Sequence, residues 1–303
     1  MNSRIVCLAI LCAFAAISPI RAFADLSTNL FPSADTTLFE NSPDNNLGSS
    51  STLIVGTTAG GSKDRGLFKF DLSQLPVNAT ITSAAFSINV VKAGFGSGST
   101  FAMHRVLRDW GEGTGLGNQG ELAKPGEATW KNRFHPTIPW DSPGAATNVD
   151  FVGDVSATSF VDGSGSYTFG STPALVADVQ SWVGNAGTNF GWIVISDAEG
   201  VGSTARRVAS REDSVSTPVL ALQYTVSATP PPPTLFNLAR VGNQIRFSFN
   251  TQSNHTYAVE FRDAFTNGNW NVLTNIPTLP ADATLHITNA ISGTQRYFRA
   301  RTP

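Results

Sequence analysis

Three sets of side chains have the types and spacing to do chemistry. The first is aromatic and basic: Trp130 and Trp140 flank Lys131, Arg133 and His135 inside the Gly/Pro-rich stretch 111–150. An indole face stacks on the C–H face of a sugar and loses little entropy in doing so. A loop of that length in a compact domain is often functional. The second set is Arg206, Arg207 and Arg211, whose guanidinium forks match a carboxylate such as a uronate. On strand alternation Arg207 and Arg211 share a face, with Arg206 opposite; pairing with Glu212 or Asp213 is the alternative use. The third set is acidic: Asp35 and Glu40 near the first strand, Glu212 and Asp213 near the last, hard oxygen ligands suited to a structural calcium ion. No D-x-[DN]-x-[DN]-G loop accompanies them, and solvated turn carboxylates are the competing reading.

Motifs of catalysis are missing. There is no G-x-S-x-G elbow and no H-E-x-x-H, and His104, His135, His255 and His286 are scattered. Gly115–Gly120 spells G-x-G-x-x-G without the strand and helix that a phosphate cradle needs, so it reads as loop. Asp109 and Glu112 offer a carboxylate pair, as any acidic domain does. Trp110, Trp182 and Trp192 lie on strand or helix patterns and read as core.

The elements that must position these groups are strands. STLIVGTT, GLFKFDLS, TITSAAFSINVV, TFAMHRVL, FGWIVISD and PVLALQYTV are short apolar alternations rich in Ile, Val, Phe and Thr. Their spacing between turn residues predicts an all-β domain, a jelly-roll-like β-sandwich. One segment departs from that period: Leu175, Val176, Val179, Trp182 and Val183 recur as a helical stripe after Thr172 and Pro173 and before Gly184, which predicts one short helix. Pro230 to Pro233 make a stiff extended linker. Six further short strands follow, with a turn at Asn267-Gly268, and predict a smaller antiparallel sandwich of immunoglobulin-like or fibronectin-like style.

The predicted organisation is therefore a signal peptide over 1–24, a β-sandwich over 25–226, a linker over 227–234 and a second sandwich over 235–303. The first segment has Arg4, an apolar run too short to span a bilayer, and Ala22-Phe23-Ala24. Its removal takes both cysteines, Cys7 and Cys12, so the exported chain has no disulfide and is held by core burial. Residues 25–226 carry 12 Lys and Arg against 19 Asp and Glu, a formal −7; residues 234–303 carry 6 Arg against 3 acids, a formal +3. An acidic first domain argues against nucleic acid, whose binding rests on Lys and Arg neutralising phosphates. No later stretch is long and apolar enough for membrane insertion.

An ordered series in the first domain also carries a family likeness: KDRGLFKFDLSQLPVNATITSAAFSINV, HRVLRDWGEG, ATW, IPWDSPGAA, LVADVQSWVGNAGTNFGWIVI, ASRE and PVLALQYTV. It resembles the DNRLRE-type domain, classed among carbohydrate-binding modules of secreted and surface proteins, over roughly residues 28–226. The namesake hexapeptide is absent, although Ser210-Arg211-Glu212 is similar to its last part. The resemblance implies a β-sandwich that binds polysaccharide, alginate-like polymers among them. The expectation is a secreted, non-catalytic polysaccharide-binding protein, extracellular or at the cell surface. A structural or adhesive surface protein and a stand-alone polysaccharide lyase or hydrolase are the alternatives.

Overall fold

A computed structural model describes residues 25–226, 232–253, 255–264, 269–291, 293 and 295–302. The predicted signal peptide, residues 227–231 of the linker and the Asn267-Gly268 turn lie outside the described residues. The chain divides into two compact units, one up to residue 227 and one from residue 228.

The first unit opens with β1 (Leu26–Leu30), β2 (Pro32–Phe39), β3 (Asn45–Asn46), β4 (Thr52–Thr57), β5 (Lys63–Phe70), β6 (Ala79–Ala93) and β7 (Ser99–Arg105). Three short pieces, β8 (Glu121–Leu122), β9 (Asn132–Phe134) and β10 (Ile138–Pro139), punctuate the long loop. Then come β11 (Ala157–Val161), β12 (Gly165–Phe169), the helix α1 (Pro173–Gly184), β13 (Trp192–Ser196), β14 (Arg206–Ala209) and β15 (Val219–Val226). Pairing runs β1-β15-β6-β14-β4 in one layer and β5-β13-β7-β11 in the other, with β2 on the free side of β5 and β12 on β6. The layers join where Gly56 and Thr57 of β4 pair with Asp64 and Lys63 of β5, so the sheet curls on itself into a jelly-roll-like β-sandwich.

Alternation along each strand decides which side chains enter the space between the layers. Phe68 and Phe70 of β5 meet Phe86 of β6 edge to face, with ring centroids 5.1 and 5.5 Å apart. The helix closes one side: Thr172 Oγ1 accepts the Leu175 amide at 3.0 Å, and Leu175, Val179 and Trp182 are buried. Gly184 is its last residue rather than the stop beyond it, a place taken by Asn185. Trp182 packs on Trp192 at 4.5 Å, and the Trp192 indole N–H donates to the Asp178 carboxylate at 3.0 Å.

The opposite parity of the second layer puts Leu38, Leu67 and Ile193 on its outer face. The chain from Val106 to Phe151 covers them with Trp110, Trp130 and Trp140 in a second apolar cluster. On the outer face of the first layer, at β4, β14 and β6, no such apolar cluster forms among the described residues, and Arg207 is half-buried and Lys92 exposed there.

In the second unit β16 (Phe236–Val241), β17 (Gln244–Thr251) and β20 (Ala283–Ala290) form one antiparallel sheet, and β18 (Tyr257–Arg262), β19 (Asn271–Ile276) and β21 (Tyr297–Arg301) form another, in the order β19-β18-β21. Phe247, Phe249, Tyr257, Val259 and Ala300 make its core.

Candidate functional site: a polar cleft on the open sheet face

Arg207 faces Ile54 on β4 and Lys92 on β6 as direct cross-strand partners. Leu53, Val55 and Val208, one residue away, belong to the core, so the row Ile54–Arg207–Lys92 lies on the outer face. That row floors a cleft of about 410 Å³, walled by Asn41, Asn118 and Gln119 and reaching Phe39 and Asp64. Arg207 donates from Nη2 to the Asn118 carbonyl at 3.2 Å and from Nη1 to Thr52 Oγ1 at 3.3 Å, which ties the Gly115–Gly120 loop to the sheet.

Asp64 is the unusual group. It is 1% exposed, and its buried Oδ1 has no hydrogen-bond partner among the described residues. Burial raises its pKa from the ordinary 3.8 to about 7, Glu40 nearby adds to the rise, and Arg207 partly opposes it. A protonated Asp64 is a donor and acceptor at the cleft wall; ionised, it is an acceptor beside Arg207. Glu40 is not among the cleft-lining residues, and its Oε2 accepts the Lys63 amide at 2.8 Å.

Arg206 occupies the inward register and is 1% exposed. Its guanidinium donates to the carbonyls of Asp162, Ser203, Ala205, Gly96 and Ser97, gathering three loops at one end of the cleft. The β6–β7 turn is thereby held where Gly94 lines the cleft and the adjacent Phe95 ring is wholly exposed.

Several sequence expectations are corrected. Trp130 and Trp140 are 7% and 3% exposed, which leaves neither a face for a sugar. Arg65 stacks 5.4 Å from the Trp130 ring and donates to the Gly144 carbonyl at 2.6 Å. Gly144 has φ +86°, and a Cβ there would meet the Trp130 ring at 2.6 Å. The Trp140 indole N–H donates to the Thr129 carbonyl at 2.9 Å. Lys131 pairs with Asp44 at 2.7 Å, and Arg133 donates to the Asp109 carbonyl at 3.1 Å. His135 is half-buried and bonds through its backbone to Glu127 and Gly126. These residues fasten the long loop and do not line the cleft.

Arg207 and Arg211 do not share a face either, because β14 ends at Ala209 and alternation stops before Arg211. Arg211 binds Glu112 at 2.8 Å. Of the four acids considered for calcium, Asp35 and Glu212 come together around Arg211, while Glu40 and Asp213 are engaged elsewhere. The Arg211 amide donates to Asp35 at 2.8 Å, and Glu212 lies beside that pair. Glu40 is held at Lys63, while Asp213 caps the amides of Val215 and Ser216 at 2.9 Å each. Among the described residues no group of three or more His, Cys, Asp or Glu is placed to hold a metal ion. Asp109 is taken by Lys69 at 2.9 Å and Glu112 by Arg211, so that carboxylate pair is engaged elsewhere.

Sequence alone marks none of Asp64, Lys92, Asn41 and Phe95 as site residues, and it presents Asn118 and Gln119 only as part of the Gly115–Gly120 loop. Asp64 did leave a trace: it has the parity of Phe68 and Phe70 and so puts an acid in the buried register of β5.

Residues 27–119 match the model of carbohydrate-binding module family 96. The likeness to a DNRLRE-type domain is consistent with that match, which covers the first part of the first unit and supports a carbohydrate-binding role for it. No curated protein matches the chain. No helix among the described residues is long and apolar enough to cross a membrane.

Proposed function

We propose that the chain is a secreted, non-catalytic polysaccharide-binding protein whose first unit takes a glycan in the Ile54–Arg207–Lys92 cleft. The observation that carries this reading is positional. Apart from Ala205, Arg206 and Arg207, every residue that lines the cleft lies within the segment 27–119 that matches the binding-module family.

The chemistry suits a hydroxylated polymer. Asn41, Asn118 and Gln119 supply amide donors and acceptors, and Phe95, exposed next to the cleft-lining Gly94, supplies an apolar ring near the opening. Lys92 and Arg207 add two cations, which favours an acidic glycan such as alginate over a neutral one. Within the cleft Asp64 is the one carboxyl among the lining residues, whereas glycoside hydrolysis uses two at a set separation. Export through a cleaved N-terminal signal would bring the protein to extracellular polymers.

Depletion of the protein by insoluble and acidic polysaccharides, assayed in parallel for new reducing ends, tests the proposal. Retention without product is expected, and Lys92→Ala or Arg207→Gln should weaken it about tenfold, the worth of one charge-assisted hydrogen bond. Product release would contradict the non-catalytic reading. Absence of retention on every polymer would turn the assignment to a structural or adhesive role.

A further inference from the structure

We propose that the outer face of the β19-β18-β21 sheet in the second unit is a separate binding surface for an acidic polysaccharide, gripping its carboxylate or sulfate groups through Arg299 and Arg301. Register places Glu260 opposite Arg299 and Ala258 opposite Arg301, while Val259 and Ala300 lie in the core. Glu260, Arg299 and Arg301 therefore share the outer face.

Glu260 is sunk in that face, its side chain 5% exposed, and both guanidiniums bind it by Nε alone, Arg299 at 2.7 Å and Arg301 at 2.9 Å. The terminal Nη groups of both arginines hydrogen-bond to no acceptor among the described residues, and their side chains are 45% and 46% exposed. A buried anion thus fixes two guanidinium forks whose remaining donors are unspent. Pre-orientation of this kind lowers the entropy lost on binding an anion. Beside them the half-buried Trp270 ring lies 4.3 Å from the Arg299 guanidinium and 4.6 Å from that of Arg262, an aromatic surface next to the charges.

Charge supports the same ligand. Residues 234–303 carry six arginines, no lysine and three acids. Two of those acids, Glu260 and Asp263, are already engaged by arginines. The positive excess therefore favours a polyanion.

The test is retention of the full chain on immobilised polygalacturonate and dextran sulfate, with neutral dextran as the control. Retention on both acidic polymers is expected, weakened by added salt. The variant Glu260→Gln/Arg299→Gln/Arg301→Gln leaves no unpaired buried carboxylate and should bind about tenfold more weakly or worse. Arg246→Gln makes the same net charge change on the other sheet and should bind as the parent does. If the triple variant does not fold, Arg299→Lys/Arg301→Lys keeps both charges without the forks and should lose several-fold. Undiminished binding by the folded triple variant, or by the lysine pair where that variant does not fold, would overturn the proposal. So would an equal loss in Arg246→Gln or equal retention on duplex DNA. Arg207→Gln, confined to the first-unit cleft, should leave this surface's contribution intact, so failure of one site is distinguishable from failure of the other.

Discussion

Asp64 sits in β5 at the register that sends Phe68 and Phe70 into the core, yet it ends against a cleft with one carboxyl oxygen unsatisfied. Its pKa, lifted to about 7 chiefly by burial, carries a sign. Between about pH 4 and pH 7 the folded chain keeps a proton that the unfolded chain has released. The folded state then binds more protons than the unfolded one, so stability falls as pH rises through that window and levels off above it. Asp35, also raised well above its ordinary value by burial, acts in the same direction. Thermal unfolding of the first unit followed from pH 4.5 to 8 should show this decline, and Asp64→Asn should make it shallower while leaving the part due to Asp35. An unchanged slope in the variant would mean that Asp64 ionises in the folded chain as it does in water. The parity of Asp64 was legible in the sequence as an acid in a buried row. Its role was not, because the cleft is assembled from strands far apart in the chain, with Arg207 and Asn118 meeting Lys92 and Ile54 only after the sheet curls.

At the scale of elements, the strands and the helix followed from alternation, from the helical stripe of Leu175, Val179 and Trp182, and from the Thr172 cap. Those signals are local and are set by backbone periodicity. The long loop departs from its sequence expectation for a physical reason. Gly/Pro-rich sequence marks irregular backbone, but it does not say whether that backbone stands in solvent or lies down on a sheet. Here Leu38, Leu67 and Ile193 needed cover, and Trp110, Trp130 and Trp140 supply it. Trp130→Ala should therefore cost about 3–5 kcal/mol of first-unit stability through the cavity left beneath Arg65. At temperatures where the variant is folded, its glycan affinity should be that of the parent. Unfolding midpoints and retention measured on the same samples check both halves, and a loss of affinity with unchanged stability would restore Trp130 as a binding platform. Arg206 makes the complementary case on the cleft side. Its removal strands five loop carbonyls, so Arg206→Met should destabilise the unit by about 3 kcal/mol or more, read by denaturant unfolding.

Across the whole molecule the two units differ in charge and in their response to acid. In the second unit Glu260 has a lowered pKa, first because of its hydrogen bond from Arg301 and then that from Arg299. Its contribution is present above the ordinary carboxylate range and is lost as pH falls through the lowered value, opposite in sign to Asp64. Acidification below about pH 4.5 should thus weaken the second unit through Glu260 while Asp64 no longer penalises the first, and Glu260→Gln should remove that acid sensitivity. If both proposed sites bind the same polymer, carrying them on one chain would add avidity to the affinity of each.

The most direct test of the central claim is equilibrium binding of soluble glycan fragments to the full chain while the amides of Asn118, Gln119 and the 92–96 turn are followed by NMR. The account predicts that a retained polysaccharide perturbs these cleft signals, and that Arg207→Gln abolishes the perturbation without unfolding the unit. Binding that leaves the cleft signals unmoved, or shifts concentrated around Trp130 and Trp140 instead, would contradict it.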